Sequence, residues 1–288
     1  MISFSGVWVK VAEVSPTVSA FYRVFFGGLM LLAAACLRRE IKWQSGRHFL
    51  LGLLCGLLLA LDLGFFHASV MLVGPGLGTL LPNFQVFILA AAGVVLFKEP
   101  LRPAYLFSVP SAVLGLLLIV GIDWGGLGRQ YQAGVFCGLA SAAFYAGFIL
   151  SLRRLQADQA GMSIFFVLAM VSLITAAFLA VEIKFSGGTF RIPDLRSASA
   201  LLALGLFSHF VGWIMITNAL PHIRASFSGL LLLLQPALAF VWDVFFFQRP
   251  TDAWNWAGVL LTLAAIYWGM NVSSRQESAA VRRRSGDG

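Results

Sequence analysis

The stretch ASVMLVGPGLGTLLPNFQVFILAAAGVVLFKEP (Ala68–Pro100) lies over NALPHIRASFSGLLLLLQPALAFVWDVFFFQRP (Asn218–Pro250) without a gap, at an offset of 150 residues. Gln85 falls on Gln235, Phe97 on Phe247, and Glu99-Pro100 on Arg249-Pro250. Each copy holds an apolar run long enough to cross a bilayer, which takes roughly 20 residues. A chain that repeats such runs folds as a duplicated helical bundle, with any ligand site where the two halves meet.

Composition agrees. Of the 288 residues 59% are hydrophobic and 11% charged, against about 25% charged in a soluble domain. Mean hydropathy is +0.88. Lipid is therefore the solvent for most of the surface. The net charge of +8 sits in short loops and the C-terminal tail, which reads as membrane topology and not as nucleic-acid binding. Cys36, Cys55 and Cys137 are scattered in apolar sequence with no CxxC spacing, so neither a metal site nor a disulfide framework is indicated. No cofactor motif is present: Gly74-Pro75-Gly76-Leu77-Gly78 lacks the lysine and the preceding strand of a phosphate loop. It reads instead as a tight connection and a hinge.

The expected fold is all-α, with about ten transmembrane helices in two inverted five-helix repeats. Predicted spans 2 to 5 are Pro16–Leu37, Phe49–Val73, Gly74–Phe97 and Pro103–Ile122. Spans 6 to 10 are Gln132–Leu152, Gly161–Phe185, Ser197–Leu220, Ala225–Phe247 and Ala253–Asn271. The repeats are expected over 1–122 and 132–271, followed by a disordered basic tail over 272–288. Helix 1 is short: matching Lys10 to Arg153 leaves it about ten residues behind its counterpart in a span of roughly 20. Thirteen Lys and Arg fall on the side that holds Arg38, Arg39, Lys42 and the tail, and six on the side of Lys10 and Arg249. The richer side is expected to be cytoplasmic, with both termini there. Five spans per half is an odd number, so the halves insert in opposed directions.

Several segments together carry a family resemblance. They are Ser5-Gly6-Val7-Trp8-Val9-Lys10, Ala20-Phe21-Tyr22-Arg23, the run Gly74 to Leu81, Phe97-Lys98-Glu99-Pro100-Leu101, and Gln235-Pro236 with Arg249 thirteen residues beyond that proline. With ten spans in two halves, the chain resembles the drug/metabolite transporter superfamily and, within it, the EamA-type permeases. It departs from them in its short helix 1, in Val86 opposite Pro236, and in Arg249 where the family usually has Glu. The resemblance implies a substrate cavity between the halves and transport of small polar metabolites, amino acids or drugs, usually in a bacterial inner membrane.

An ionisable group inside a span is costly and faces a wet interior or a partner. Asp62 lies near mid-span, about 200° from Ala60 and off the ridge of Gly52, Gly56, Ala60 and Gly64. Its carboxylate either binds a cationic group or a proton, or pairs with Arg23 at similar depth. His67 is off the Asp62 face and reads as a packing residue. Gln85 and Gln235 occupy equivalent positions and suit a neutral or zwitterionic ligand, or an interhelical hydrogen bond. Pro236 frees a backbone carbonyl at that depth, and Pro82-Asn83 is given the same role. His209 and Trp213, four apart, are expected to line the cavity. Asp243 reads as a gate or as a solvated helix-end charge.

The function expected is secondary transport by alternating access, with proton coupling through Asp62 and His209, as a monomer or homodimer. A lipid-directed flippase and a non-transporting helper subunit are the alternatives. An enzyme is not expected, because no metalloprotease, serine-hydrolase or paired-aspartate arrangement is present.

Overall fold

The computed structural model describes residues 2–41, 46–99, 103–120, 128–157, 163–248 and 250–286. Lys42, Trp43, Pro100, Leu101, Arg102, Trp124 and Arg249 lie outside these. The described residues form helices and no strand. In chain order they are α1 (Ile2–Val11), α2 (Pro16–Leu37), α3 (Gly46–Gly74), α4 (Gly78–Phe97) and α5 (Pro103–Val120). The second half has α6 (Arg129–Ala157), α7 (Ile164–Phe185), α8 (Leu195–His222), α9 (Phe227–Phe247) and α10 (Ala253–Gly286). Seven are long and apolar enough to cross a membrane: α2, α3, α4, α6, α7, α8 and α9. From residue 272 on, where sequence predicts an irregular tail, the backbone continues as part of α10.

Local chemistry sets the helix ends. Ser15 accepts a hydrogen bond from Val18 N–H, and Pro16 follows at the first helical position of α2. Ser163 caps α7, and Asp194 caps α8 through Ser197 N–H at 2.7 Å. Asp252 and Asn255 exchange side-chain to backbone bonds at the start of α10, a capping box.

One residue with non-helical dihedrals, Gly74 (φ 83°, ψ 163°), breaks the helical run between α3 and α4. The chain reverses there sharply enough that a Cβ on Gly78 would sit 2.6 Å from Val70 Cα. A short 3-10 turn, Leu81–Phe84, then interrupts α4 around Pro82. The corresponding joint in the second half uses no glycine: Ile223 and Arg224 are extended, and α9 follows.

Packing follows a two-fold pattern. α2 packs on α7, α4 on α9 and α5 on α10, each against its own counterpart. The contact of α3 with α6 has its image in α1 with α8, and that of α3 with α7 in α2 with α8. Small residues permit these approaches. Gly52, Gly56 and Gly64 of the predicted ridge face Met170, Ile174 and Glu182 of α7. Gly134 and Gly138 of α6 meet Leu72, Val73 and Leu81.

These contacts give direction. Gly134 lies by Leu72, Ser141 by Asp62 and Gly147 by Leu58, so α3 and α6 are antiparallel. The end of α6 is therefore beside the start of α3, and Phe97 joins it there by touching Arg153. Lys10 and Phe247 meet at the opposite end, beside the start of α2. The equivalent helix ends Phe97 and Phe247 thus lie at opposite ends of the bundle. α1 is a half-helix: Ile2 packs on Gly212, well along α8, while Ala12 packs with Leu201 and Leu204 near the start of that helix.

Candidate functional site

Polar side chains from both halves converge where α2, α3, α6, α7 and α8 meet. Asp62 is buried, and its Oδ1 accepts a hydrogen bond of 2.6 Å from Ser141 Oγ on α6. Arg23 on α2 interacts electrostatically with Asp62, with Tyr145 on α6 and with His209 on α8. Its Nε is buried without a hydrogen-bond partner. Arg23 and Asp62 therefore sense each other's charge, while the direct bond to the carboxylate comes from Ser141.

His209 lies in a π-helical stretch, Leu204–Val211, that the even helical spacing of the sequence does not reveal. Widened turns of this kind recur at functional sites. The imidazole is buried against α2, where a Cβ on Gly27 would meet its Cδ2 at 2.5 Å. Its Nε2 is 2.7 Å from Ser172 Oγ on α7. Ser172 donates its one hydroxyl proton to Leu168 O at 2.6 Å, so His209 Nε2 must be the donor in the shared bond. The ring is then the Nε2–H tautomer, and Nδ1 presents a lone pair with no partner. The centre thus holds an uncommitted donor on Arg23, an uncommitted acceptor on His209 and a carboxylate with one fixed partner. Leaving such atoms unpaired costs about 1–3 kcal/mol each.

The remaining predicted residues are placed as follows. Trp213 is 4% exposed and stands edge-on to Phe148, ring centroids 5.2 Å apart and 6.4 Å from His209. It is a wall of packed aromatics next to the polar centre. Gln85 is buried with Oε1 unpartnered, whereas its counterpart Gln235 is partly buried on α9. Asn83 directs its amide at Thr79 O (2.8 Å) and Leu80 O (3.2 Å), closing the 3-10 turn of its own segment. Asp243 is far from the centre and is bonded to Lys10 at the end of α1. His67 bonds Thr17 at 3.2 Å, the packing role expected of it. The structure brings together Arg23, Asp62 and His209, with Trp213 alongside; Asn83 and Asp243 lie elsewhere.

Ser141, Tyr145 and Ser172 complete the centre and were not singled out from sequence. Ser141 and Tyr145 stand four apart on one face of α6, which was the readable signal. No cluster of His, Cys, Asp or Glu able to hold a metal occurs among the described residues.

Comparison with known proteins fits this geometry. The EamA-like transporter family matches residues 1–121 and again 132–270. The chain is 24% identical over 285 residues to the uncharacterized transporter YwfM of Bacillus subtilis, covering 98% of this chain and 94% of that one. It is 26% identical over 270 residues to the pseudopaline exporter CntI of Pseudomonas aeruginosa, covering 92% and 91%. Human solute carrier family 35 member G1 matches at 26% over 208 residues, 63% of this chain and 55% of that one. A crystal structure at 19% identity shares the fold, with a TM-score of 0.80 over 96% of this chain and 94% of that one. A two-copy family match over nearly the whole length, on a bundle with this two-fold packing, places the chain in the EamA-like transporter family.

Proposed function

We propose that this protein carries a small zwitterionic metabolite of the amino-acid type across the bacterial inner membrane by alternating access. The observation that carries the reading is the Arg23–Asp62–His209 centre. It offers a cation for a carboxylate group, and a carboxylate and an imidazole lone pair for an amine, inside a bundle with lipid around it. That the Pseudomonas relative is a pseudopaline exporter supports a transport reading. The two halves, over 1–122 and 132–271, rock about this centre, with both termini in the cytoplasm. The sequence carries no ATP-binding motif, so on this reading the driving force is a gradient, and Asp62 and His209 are the groups that take up a proton.

The test is flux of labelled amino acids in proteoliposomes, with and without an imposed proton gradient. Wild type is compared with Asp62→Asn and Arg23→Gln, each checked for folding by size exclusion. Flux in wild type and a loss of tenfold or more in both variants supports the reading. Equal flux removes the centre from the mechanism. Scrambling of labelled lipid without solute flux favours a flippase, and neither activity favours a helper subunit.

A further inference from the structure

The fourth helix of each half ends in the same way. α4 closes on Phe97 with Lys98 left-handed (φ 52°), and α9 closes on Phe247 with Gln248 left-handed (φ 49°). Each of these phenylalanines, 150 residues apart in sequence, carries a cation on its ring, and that cation comes from the first helix of the other half. Arg153 of α6 lies 4.9 Å from the Phe97 centroid, and Lys10 of α1 lies 4.5 Å from the Phe247 centroid. Each cation also has a carboxylate: Lys10 bonds Asp243, and Arg153 is within electrostatic range of Glu99. The two constructions sit at opposite ends of the bundle.

We propose that the Lys10–Phe247–Asp243 and Arg153–Phe97–Glu99 clasps are the gates of the two membrane faces, released one at a time. The inference rests on the transport reading above. α1 packs along α8, which carries His209, and α6 packs along α3, which carries Asp62. Parting α1 from α9, or α6 from α4, therefore opens a route from one face to the polar centre while the other face stays shut. Both clasps are made in this structure, as in the closed state that alternating access passes through. They are not equal. Lys10 has both ring and carboxylate in contact, whereas Arg153 Nη1 is buried without a hydrogen-bond partner.

Spin-label distances test this in a chain with Cys36, Cys55 and Cys137 replaced by alanine. One labelled pair, Glu13 and Thr251, reports the Lys10 face; another, Leu96 and Arg154, reports the Arg153 face. All four positions are exposed. Lys10→Gln is expected to lengthen the Glu13–Thr251 distance by about one helical turn, ~5 Å, with no lengthening of the other pair. Arg153→Gln is expected to do the reverse. Lys10→Arg and Arg153→Lys keep a cation on the ring and are expected to retain the wild-type distances. Widening at both faces in either Gln variant, no change in either, or the same opening in the conservative variants overturns the proposal. The distances need no substrate. Reciprocal opening in a protein that moves no solute would therefore count against the transport reading and leave the clasps standing.

Discussion

Thr262 Oγ1, whose one hydroxyl proton is shared between Gly258 O at 2.9 Å and Ala112 O at 3.3 Å, rests on Ala112, and Thr262 and Ala112 are 150 apart, the offset of the internal repeat. A residue that touches its own counterpart lies on the axis relating the halves. α5 and α10 cross there closely enough that Gly115 and Gly258 are in backbone contact. The axis is thus a glycine-lined crossing, stitched further by Asn255, which donates to Leu118 O (3.2 Å) and Ile119 O (3.1 Å).

Any side chain at that crossing must push the helices apart. A Cβ on Gly115 would sit 2.3 Å from Thr262 Oγ and 2.7 Å from Gly258 O. Gly115→Ala is expected to cost about 1–3 kcal/mol, since the obstruction is partly backbone and cannot rotate away. A lowered midpoint in detergent thermal unfolding checks this, with Gly6→Ala, which meets nothing within 4 Å, as the unaffected control.

The reversal at Gly74 depends on conformation and not on space. Its φ of 83° and ψ of 163° fall in a region that is essentially glycine's alone, while an added Cβ would meet nothing. Gly74→Ala is expected to cost about 1–3 kcal/mol of backbone strain. Gly78→Ala fails for the opposite reason, because its Cβ would strike Val70 Cα at 2.6 Å. Thermal unfolding of both variants, with Gly78→Ala the less stable, is the measurement.

The hydrogen-bond chain Leu168–Ser172–His209 dictates a tautomer. Nitrogen NMR of labelled histidine is expected to show His209 neutral with its proton on Nε2. Ser172→Ala removes the acceptor and is expected to shift the Nε2 signal while leaving the fold intact. Gly27→Ala is expected to lower thermal stability and flux together, because the new methyl occupies the imidazole's space.

Asp194 gives a pH signature outside the membrane-spanning segments. The Ser197 N–H and hydroxyl hydrogen-bond its carboxylate and hold its pKa below the usual aspartate value. A carboxyl depressed in the folded state stabilises it above the unfolded pKa, and that stabilisation is lost as pH falls through the folded value. Asp194→Ala is therefore expected to melt earlier than wild type at neutral pH. The difference should shrink as the pH drops below about 4, which a series of thermal scans in buffered detergent would follow.

Much of this was legible without coordinates. Asp62 was placed off the glycine ridge by helical angle alone, and the structure turns that ridge to α7 and Asp62 to α6. The roles of His209 and Trp213 were harder to read. The spacing of four implied one stripe lining the cavity; the structure sets His209 in a π-helical stretch between α2 and α7 and packs Trp213 on Phe148. At Pro82-Asn83, read from sequence as a place where a carbonyl is freed, the Asn83 amide donates to Thr79 O and Leu80 O. A proline marks where backbone bonds are missing and does not say which neighbour supplies the replacement.

Sequence by itself determined the all-α class, about ten apolar helices and the duplication, because bilayer thickness and repeat offset are local in the chain. Tertiary structure alone decided that Ser141, Tyr145 and Ser172 complete the polar centre, that Lys10 and Arg153 reach across to the opposite half, and that Thr262 rests on Ala112. Those are pairings between segments far apart in sequence, set by how glycine-lined helices cross, and no periodicity within one segment carries that information.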